Sequence, residues 1–170
     1  MKGRSAIFER CNSIMKHLLS EVSTESSDGR YHGEYRSVLE NGVTEIDSCV
    51  ILKTFAPDSF RFSEQYYGDR TGCEAYLNHI HIDDEGNKAR RLDDALAFAC
   101  DLCSMLRQQA PPGRYCIIVT YHLDCRSTAV RFHRVRVNEW WLSDDLDGYA
   151  QEGVGYLVID VGNLPSTEAC

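Results

Sequence analysis

A chain of 170 residues that is 43% apolar and 10% aromatic can bury the core of one compact domain, which argues against a disordered protein. Its net charge of −8 argues against nucleic acid and anionic membrane surfaces as direct partners, since both are bound through basic faces. A basic protein is the charged partner this balance suits, because opposite surface fields steer association.

The periodicity predicts a helix over Ser5–Val22, where Ile7, Phe8, Cys11, Ile14, Met15, Leu18, Leu19 and Val22 recur at three- and four-residue steps. Glu9, Arg10, Lys16 and His17 interrupt that run, which argues against a plain signal peptide, and no stretch is apolar enough to span a bilayer. The eight cysteines are irregularly spaced and read as thiols in a reducing cytosol, not as a secreted disulfide framework.

After a loop at Ser23–Gly29, the pattern weakens. Glu34–Leu39 reads as a short strand, Asn41-Gly42 as a tight hairpin turn, and Thr44–Phe55 as a longer strand through Val50, Ile51 and Leu52. Alternating Phe60 and Phe62 suggest a strand over Ser59–Tyr67, and Ala75–Ile82 alternates as another strand that Asp83–Gly86 closes.

A second helix is predicted from Asn87 to Gln109. Leu92, Ala95, Leu96, Ala99, Leu102, Cys103 and Leu106 make its apolar stripe, and Pro111-Pro112-Gly113 stops it. Tyr115–His122 is the most apolar strand and suits the centre of a sheet. Thr128–Val137 pairs with it as a hairpin through a turn at Asp124–Ser127. Ser143 reads as the N-cap of an acidic helix of about two and a half turns, ended by Gly153. Asp144 and Asp145 answer the dipole of that helix. Tyr156–Val161 is a final strand, followed by an irregular tail over 163–170. The expectation is one α+β domain over residues 1–170. It has a mostly antiparallel sheet of about five to six strands, two main helices and one short acidic helix.

Several groupings invite a chemical reading. On a strand, His79 and His81 share a face about 7 Å apart. Asp83 continues it, and imidazole with carboxylate is a normal zinc set. The run resembles the His-x-His-x-Asp-His signature of metallo-β-lactamase-like hydrolases, with Asp84 in place of the last histidine. It supports a small metal-dependent hydrolase only as the alternative, beside histidines that simply face solvent or satisfy buried neighbours. Cys100-Asp-Leu-Cys103 has the spacing of a redox dithiol, yet it falls in mid-helix, where small buried hydrophobes are the better reading. Cys116, Cys125, His122 and His133 are the nearest candidates for a cysteine–histidine nucleophile. No Gly-x-Ser-x-Gly elbow and no glycine-rich phosphate loop followed by a helix is present.

Ala129–Glu152 is different in kind: a basic strand, two adjacent tryptophans and an acidic segment follow one another without slack. Arg131, His133 and Val135 share one strand face, and Val130, Phe132 and Arg134 the other. One tryptophan is expected to staple the strand–helix corner, with Arg136 paired to Glu139, Asp144 or Asp145. The functional reading makes the stretch a recognition surface, with Trp140 and Tyr149 as anchors and Asp144, Asp145 and Asp147 as a charged rim.

From Val130 to Glu152 the run Val-Arg-Phe-His-x-x-Arg-x-x-Glu-x-Trp-Leu-x-x-Asp-Leu-x-x-Tyr-x-x-Glu resembles a pattern in bacterial immunity proteins. These are the cytoplasmic antidotes of contact-dependent growth inhibition and related polymorphic toxin systems. The matching residues are Arg131, Phe132, His133, Arg136, Glu139, Trp141, Leu142, Asp145, Leu146, Tyr149 and Glu152. The resemblance implies a non-enzymatic protein without cofactor or metal that binds one cognate toxin domain, a nuclease being one such target.

Overall fold

The structure is a computed structural model that describes residues 7–21, 33–82 and 88–162. Its frame is an antiparallel sheet of five strands in the order β1-β7-β5-β6-β4. These are β1 (Arg10–Cys11), β4 (Ile80–His81), β5 (Gly113–His122), β6 (Thr128–Arg134) and β7 (Glu152–Val161). A separate hairpin joins β2 (Val43–Ile46) to β3 (Cys49–Leu52). The helices are α1 (Ser13–Glu21), α2 (Gly33–Asn41), α3 (Glu64–Tyr67), α4 (Arg70–Leu77) and α5 (Lys88–Gln109). This is the expected α+β class with a wholly antiparallel sheet.

β5 is central because both its faces are apolar, and Cys116, Ile117, Ile118 and Val119 are fully buried. Its front residues, Tyr115, Ile117, Val119 and Tyr121, join Val130 and Phe132 of β6 under the helices. The stripe predicted for α5 is buried at every position, and Phe98 widens it towards α2 through an edge contact with Tyr35, 6.3 Å between ring centres. Met15, Leu18 and Leu19 of α1 complete the main core.

Several local expectations are overturned. The first helix begins at Ser13, because Asn12 caps it there: its Oδ1 accepts from Met15 N at 2.9 Å. Residues 10–11 form an edge strand instead. The segment over 33–41 is helical, and Gly42, at φ +72°, is its C-terminal stop and not a hairpin turn. The turn lies further on, at Asp47-Ser48, both in the left-handed region (φ 51° and 64°), so the expected long strand over 44–55 is a tight hairpin. No strand occupies 59–67, and Arg70–Leu77 is a helix N-capped by Asp69, whose Oδ1 accepts from Gly72 N at 2.6 Å. The expected close at Asp83–Gly86 and the tail over 163–170 lie outside the described residues.

Glu74 of α4 and Asn78, the residue that ends that helix, join the hairpin to the main sheet by imitating a strand between β3 and β6. Glu74 accepts from Val50 N with one oxygen and from Arg134 N with the other, both at 2.6 Å. One turn on, Asn78 accepts from Leu52 N at 2.9 Å and donates to Val50 O (2.8 Å) and Phe132 O (3.3 Å). Backbone groups that would otherwise be buried without partners are thus satisfied.

Candidate partner-binding surface

The front of the sheet is covered by helices; the segment from Val135 to Gln151 crosses its back. Because side chains alternate along β6, Arg131 and His133 face this side, and β5 adds Cys116 and Ile118 in register with them. Leu142 and Leu146 drop from the segment into an apolar layer with Cys116, Ile118, Val154 and Tyr156. They, and not a tryptophan, staple the corner. Trp140 and Trp141 remain 40% and 39% exposed.

Both ends of the segment are fixed. At the start, Arg136 makes two hydrogen bonds to Glu74 (2.7 and 3.0 Å) and one to Ser48 O (2.8 Å). Its expected partner Glu139 is only a distant one at 4.0 Å, and that carboxylate instead accepts from Thr71 N and Oγ1 at the start of α4. Burial pushes the Glu74 carboxyl up, against the pull of Arg136 and the two backbone donors. Between Arg136 and Glu139 the chain turns tightly, with Asn138 at φ 64° and Val137 at the tip, 89% exposed.

At the far end the expected acidic helix is only one 3-10 turn, Leu146–Gly148. Asp145, not Ser143, caps it, accepting from Asp147 N at 3.2 Å, while Ser143 Oγ accepts from Asp145 N at 3.2 Å. Short polar side chains here bond to neighbouring backbone and hold the chain out of a longer helix. Asp147 reaches away to accept from Ser13 N at 2.7 Å, which holds its carboxyl below the usual range and ties the turn to α1. Tyr149 braces the segment from within, its hydroxyl accepting from Ser143 N at 3.0 Å. Gly153 lies in β7, where a Cβ would stand 2.7 Å from Leu18 Cδ1, so it lets α1 approach and stops no helix.

Trp140, Asp144, Asp145 and Asp147 are each exposed, and Tyr149 is half-buried. Trp140 is propped edge-on against His133 (5.6 Å between centres) and Tyr156 (5.8 Å). An open cavity of about 400 Å³ is lined by Asp144, Asp145 and Asp147 together with Glu9, Arg10 and Lys16, and Arg10 Nη2 donates to Asp144 O at 2.9 Å. Glu139–Glu152 holds five carboxylates and no lysine or arginine.

His79 sits beside His81 and Arg131. Its ring lies against that of His81, 4.3 Å between centres, as a shared side requires. Arg131 Nη2 lies 3.0 Å from His79 Nε2, and because arginine can only donate, that nitrogen accepts and its lone pair is engaged. Burial, Arg131 and His81 push the His79 pKa down to about 4. Among the described residues no three histidine, cysteine or acidic side chains are grouped closely enough to hold a metal, and Asp83 lies outside those residues.

The seven described cysteines are free thiols. Cys103 is buried on the α5 stripe with its pKa pushed up to about 11 by burial, as a core thiol requires. Cys116 and His133 do sit opposite one another across β5 and β6. Burial pushes that thiol up to about 12 and the imidazole down, the reverse of an activated pair. Cys125 is exposed and bonds to Ser127 Oγ at 3.0 Å.

A second exposed aromatic surface lies on α3 and α4. Tyr66 and Tyr76, 74% and 59% exposed, flank Tyr67 at 4.9 and 6.0 Å between ring centres, and Arg70 lies over Phe62 at 4.7 Å. Its signal in the sequence is the density of aromatic residues from Phe60 to Tyr76, a stretch expected to carry strands.

The model of the Uncharacterized protein PM0498 family matches residues 10–166, from β1 to beyond the end of β7. No curated protein and no solved structure matches the chain.

Proposed function

We propose that this chain, which belongs to the Uncharacterized protein PM0498 family, is a non-enzymatic binding module of the immunity type. It neutralises a cognate toxin domain in the cytoplasm by covering that domain's active site or substrate path. The observation that carries the reading is the pair of half-exposed tryptophans on a segment pinned to Glu74 at one end and Ser13 at the other. A pre-anchored segment loses little conformational freedom on binding, and tryptophan is among the commonest interface anchors. The carboxylates beside it suit a basic target such as a nuclease. No helix among the described residues is long and apolar enough to cross a membrane, which is compatible with a cytoplasmic role.

The test is direct binding, followed by biolayer interferometry, to candidate toxin domains encoded by neighbouring genes. Trp140→Ala is expected to weaken binding by about 30-fold or more, the level of an interface hot spot. Replacing Asp144, Asp145 and Asp147 together by asparagine keeps their acceptor oxygens, and is expected to slow association and flatten its salt dependence. Tight binding that ignores both changes would remove this face from the interface, and no binding at all would end the immunity reading.

A further inference from the structure

Arg131 has a set of neighbours unlike those of the other arginines of β5, β6 and the segment that follows them. Arg114, Arg134 and Arg136 each reach a carboxylate, at Asp160 (3.5 Å), Glu45 (3.2 Å) and Glu74 (2.7 Å). Arg131 has none within ion-pair distance among the described residues, and Glu152 and Tyr149 act on it only from further away. Its guanidinium is instead held between two uncharged groups. Nη2 donates to His79 Nε2 at 3.0 Å, and the face of Trp141 lies 5.7 Å from its central carbon. The Nε–H is closed off from solvent and has no acceptor. Two residues along the same strand face, His133 is fully buried. Its Nδ1–H donates to Arg134 O, which leaves Nε2 as a second buried atom without a partner.

Partly burying a cation without a counter-charge costs free energy that neither a neutral imidazole nor an indole face fully restores. The same arrangement pre-organises it. His79 engages Nη2, Trp141 flanks the plane, and Nη1 makes no hydrogen bond among the described residues. Nη1 and the second hydrogen of Nη2 form the end-on edge of the guanidinium, a planar fork that matches a planar anion with two oxygens. With one arginine in a protein of net charge −8, a singly charged group fits and a doubly charged phosphate is repelled.

We propose that Arg131 is the binding residue of a carboxylate site on the back of the sheet, with His79 and Trp141 as its positioning residues. The carboxylate belongs to an acidic side chain of a protein partner or to a small free carboxylic acid. The site stands apart from the immunity reading, since filling it needs no toxin.

The experiment is a titration of the isolated chain with sodium acetate against sodium chloride at matched ionic strength. Two reporters are followed: the fluorescence of Trp141 in a Trp140→Phe variant, and the Arg131 Nε–H resonance in nitrogen-15 spectra of the unmodified chain. Acetate is expected to shift both saturably, chloride neither, and Arg131→Gln is expected to abolish the fluorescence response. The resonance of the unmodified chain keeps the test valid should that variant fold poorly. Succinate or citrate binding more than tenfold tighter than acetate identifies a free polycarboxylic acid, whereas equal binding identifies a single side-chain carboxylate. The proposal is overturned by a flat titration at both reporters, by a response that survives in Arg131→Gln, or by inorganic phosphate binding more tightly than acetate.

Discussion

Glu74 and Arg136 meet through two hydrogen bonds, at 2.7 and 3.0 Å, although the carboxylate belongs to a helix and has no exposed surface. The pair, with its backbone partners, joins α4, the β2–β3 hairpin, the end of β6 and the start of the segment that carries both tryptophans. Glu74→Ala leaves a largely buried guanidinium and two backbone N–H groups without acceptors. It is expected to cost about 3–5 kcal/mol in urea unfolding. Combining it with Arg136→Met should cost clearly less than the sum of the two single changes, because the second removes the orphaned charge. Simple additivity would mean that the two side chains do not act as a unit.

Asn12 performs a comparable role at the opposite end of the segment. It is 2% exposed, and its side chain makes four hydrogen bonds: the oxygen accepts from Met15 N and Val154 N, and the amide donates to Leu146 O and Glu152 O. Asn12→Ala loses the cap of α1 and strands buried polar groups, an expected loss of about 2–4 kcal/mol in thermal or urea unfolding. Asn12→Asp preserves the cap yet points a carboxylate at two carbonyl oxygens, and should be no better. An Asn12→Asp protein as stable as the parent would show that the donations to Leu146 and Glu152 are unimportant.

The second half of the fold was legible because its elements are long and their surroundings uniform. α5 carries its stripe through 22 residues, and β5 is buried on both faces, so period and composition agree. Between residues 33 and 82 the elements are short, and tertiary partners decide them. Ala75, Tyr76 and Leu77 sit where an alternating pattern reads as a strand, but Asp69 starts a helix that runs through them and ends at Asn78, and Glu74 and Asn78 are spent satisfying the backbone of other strands. The exposed set on the Trp140–Asp147 stretch could be picked out from residue types alone. Its anchors could not, since Glu74 lies 62 residues from Arg136 and Ser13 lies 134 from Asp147. Arg131, read as one member of a basic face, differs from its neighbours only in lacking a carboxylate, which no sequence pattern reports.

The depressed pKa of His79 predicts a stability change with a definite sign. Its folded value of about 4 lies below the ordinary 6.5, so between those limits the unfolded chain takes up a proton that the folded chain refuses. The stabilisation is whole above about pH 6.5, declines as pH falls through that window, and is exhausted below about pH 4. Burial depresses His133 as well, so it acts in the same direction. His79 is half-buried, and solvent screening reduces its share to on the order of 1 kcal/mol. His79→Gln keeps an acceptor for Arg131 but cannot titrate. Urea unfolding at pH 7 and pH 4.5 should show the parent losing more stability than this variant; equal losses would assign the pH dependence to other groups.

The tyrosine surface supplies a control that separates the two exposed aromatic regions. Tyr66 and Tyr76 project from α3 and α4, while Trp140 and Trp141 lie on the segment across the back of the sheet. Replacing both tyrosines by serine removes well-exposed rings, and is expected to change stability by no more than about 1 kcal/mol. If the toxin domain docks on the tryptophan segment, the double variant binds it with the parent's affinity, whereas Trp140→Ala binds far more weakly. The reverse pattern would move the interface to the surface formed by Phe62, Tyr66, Tyr67 and Tyr76. Arg70 would then be its charged anchor, because a guanidinium stacked on Phe62 is already held in place for an incoming carboxylate.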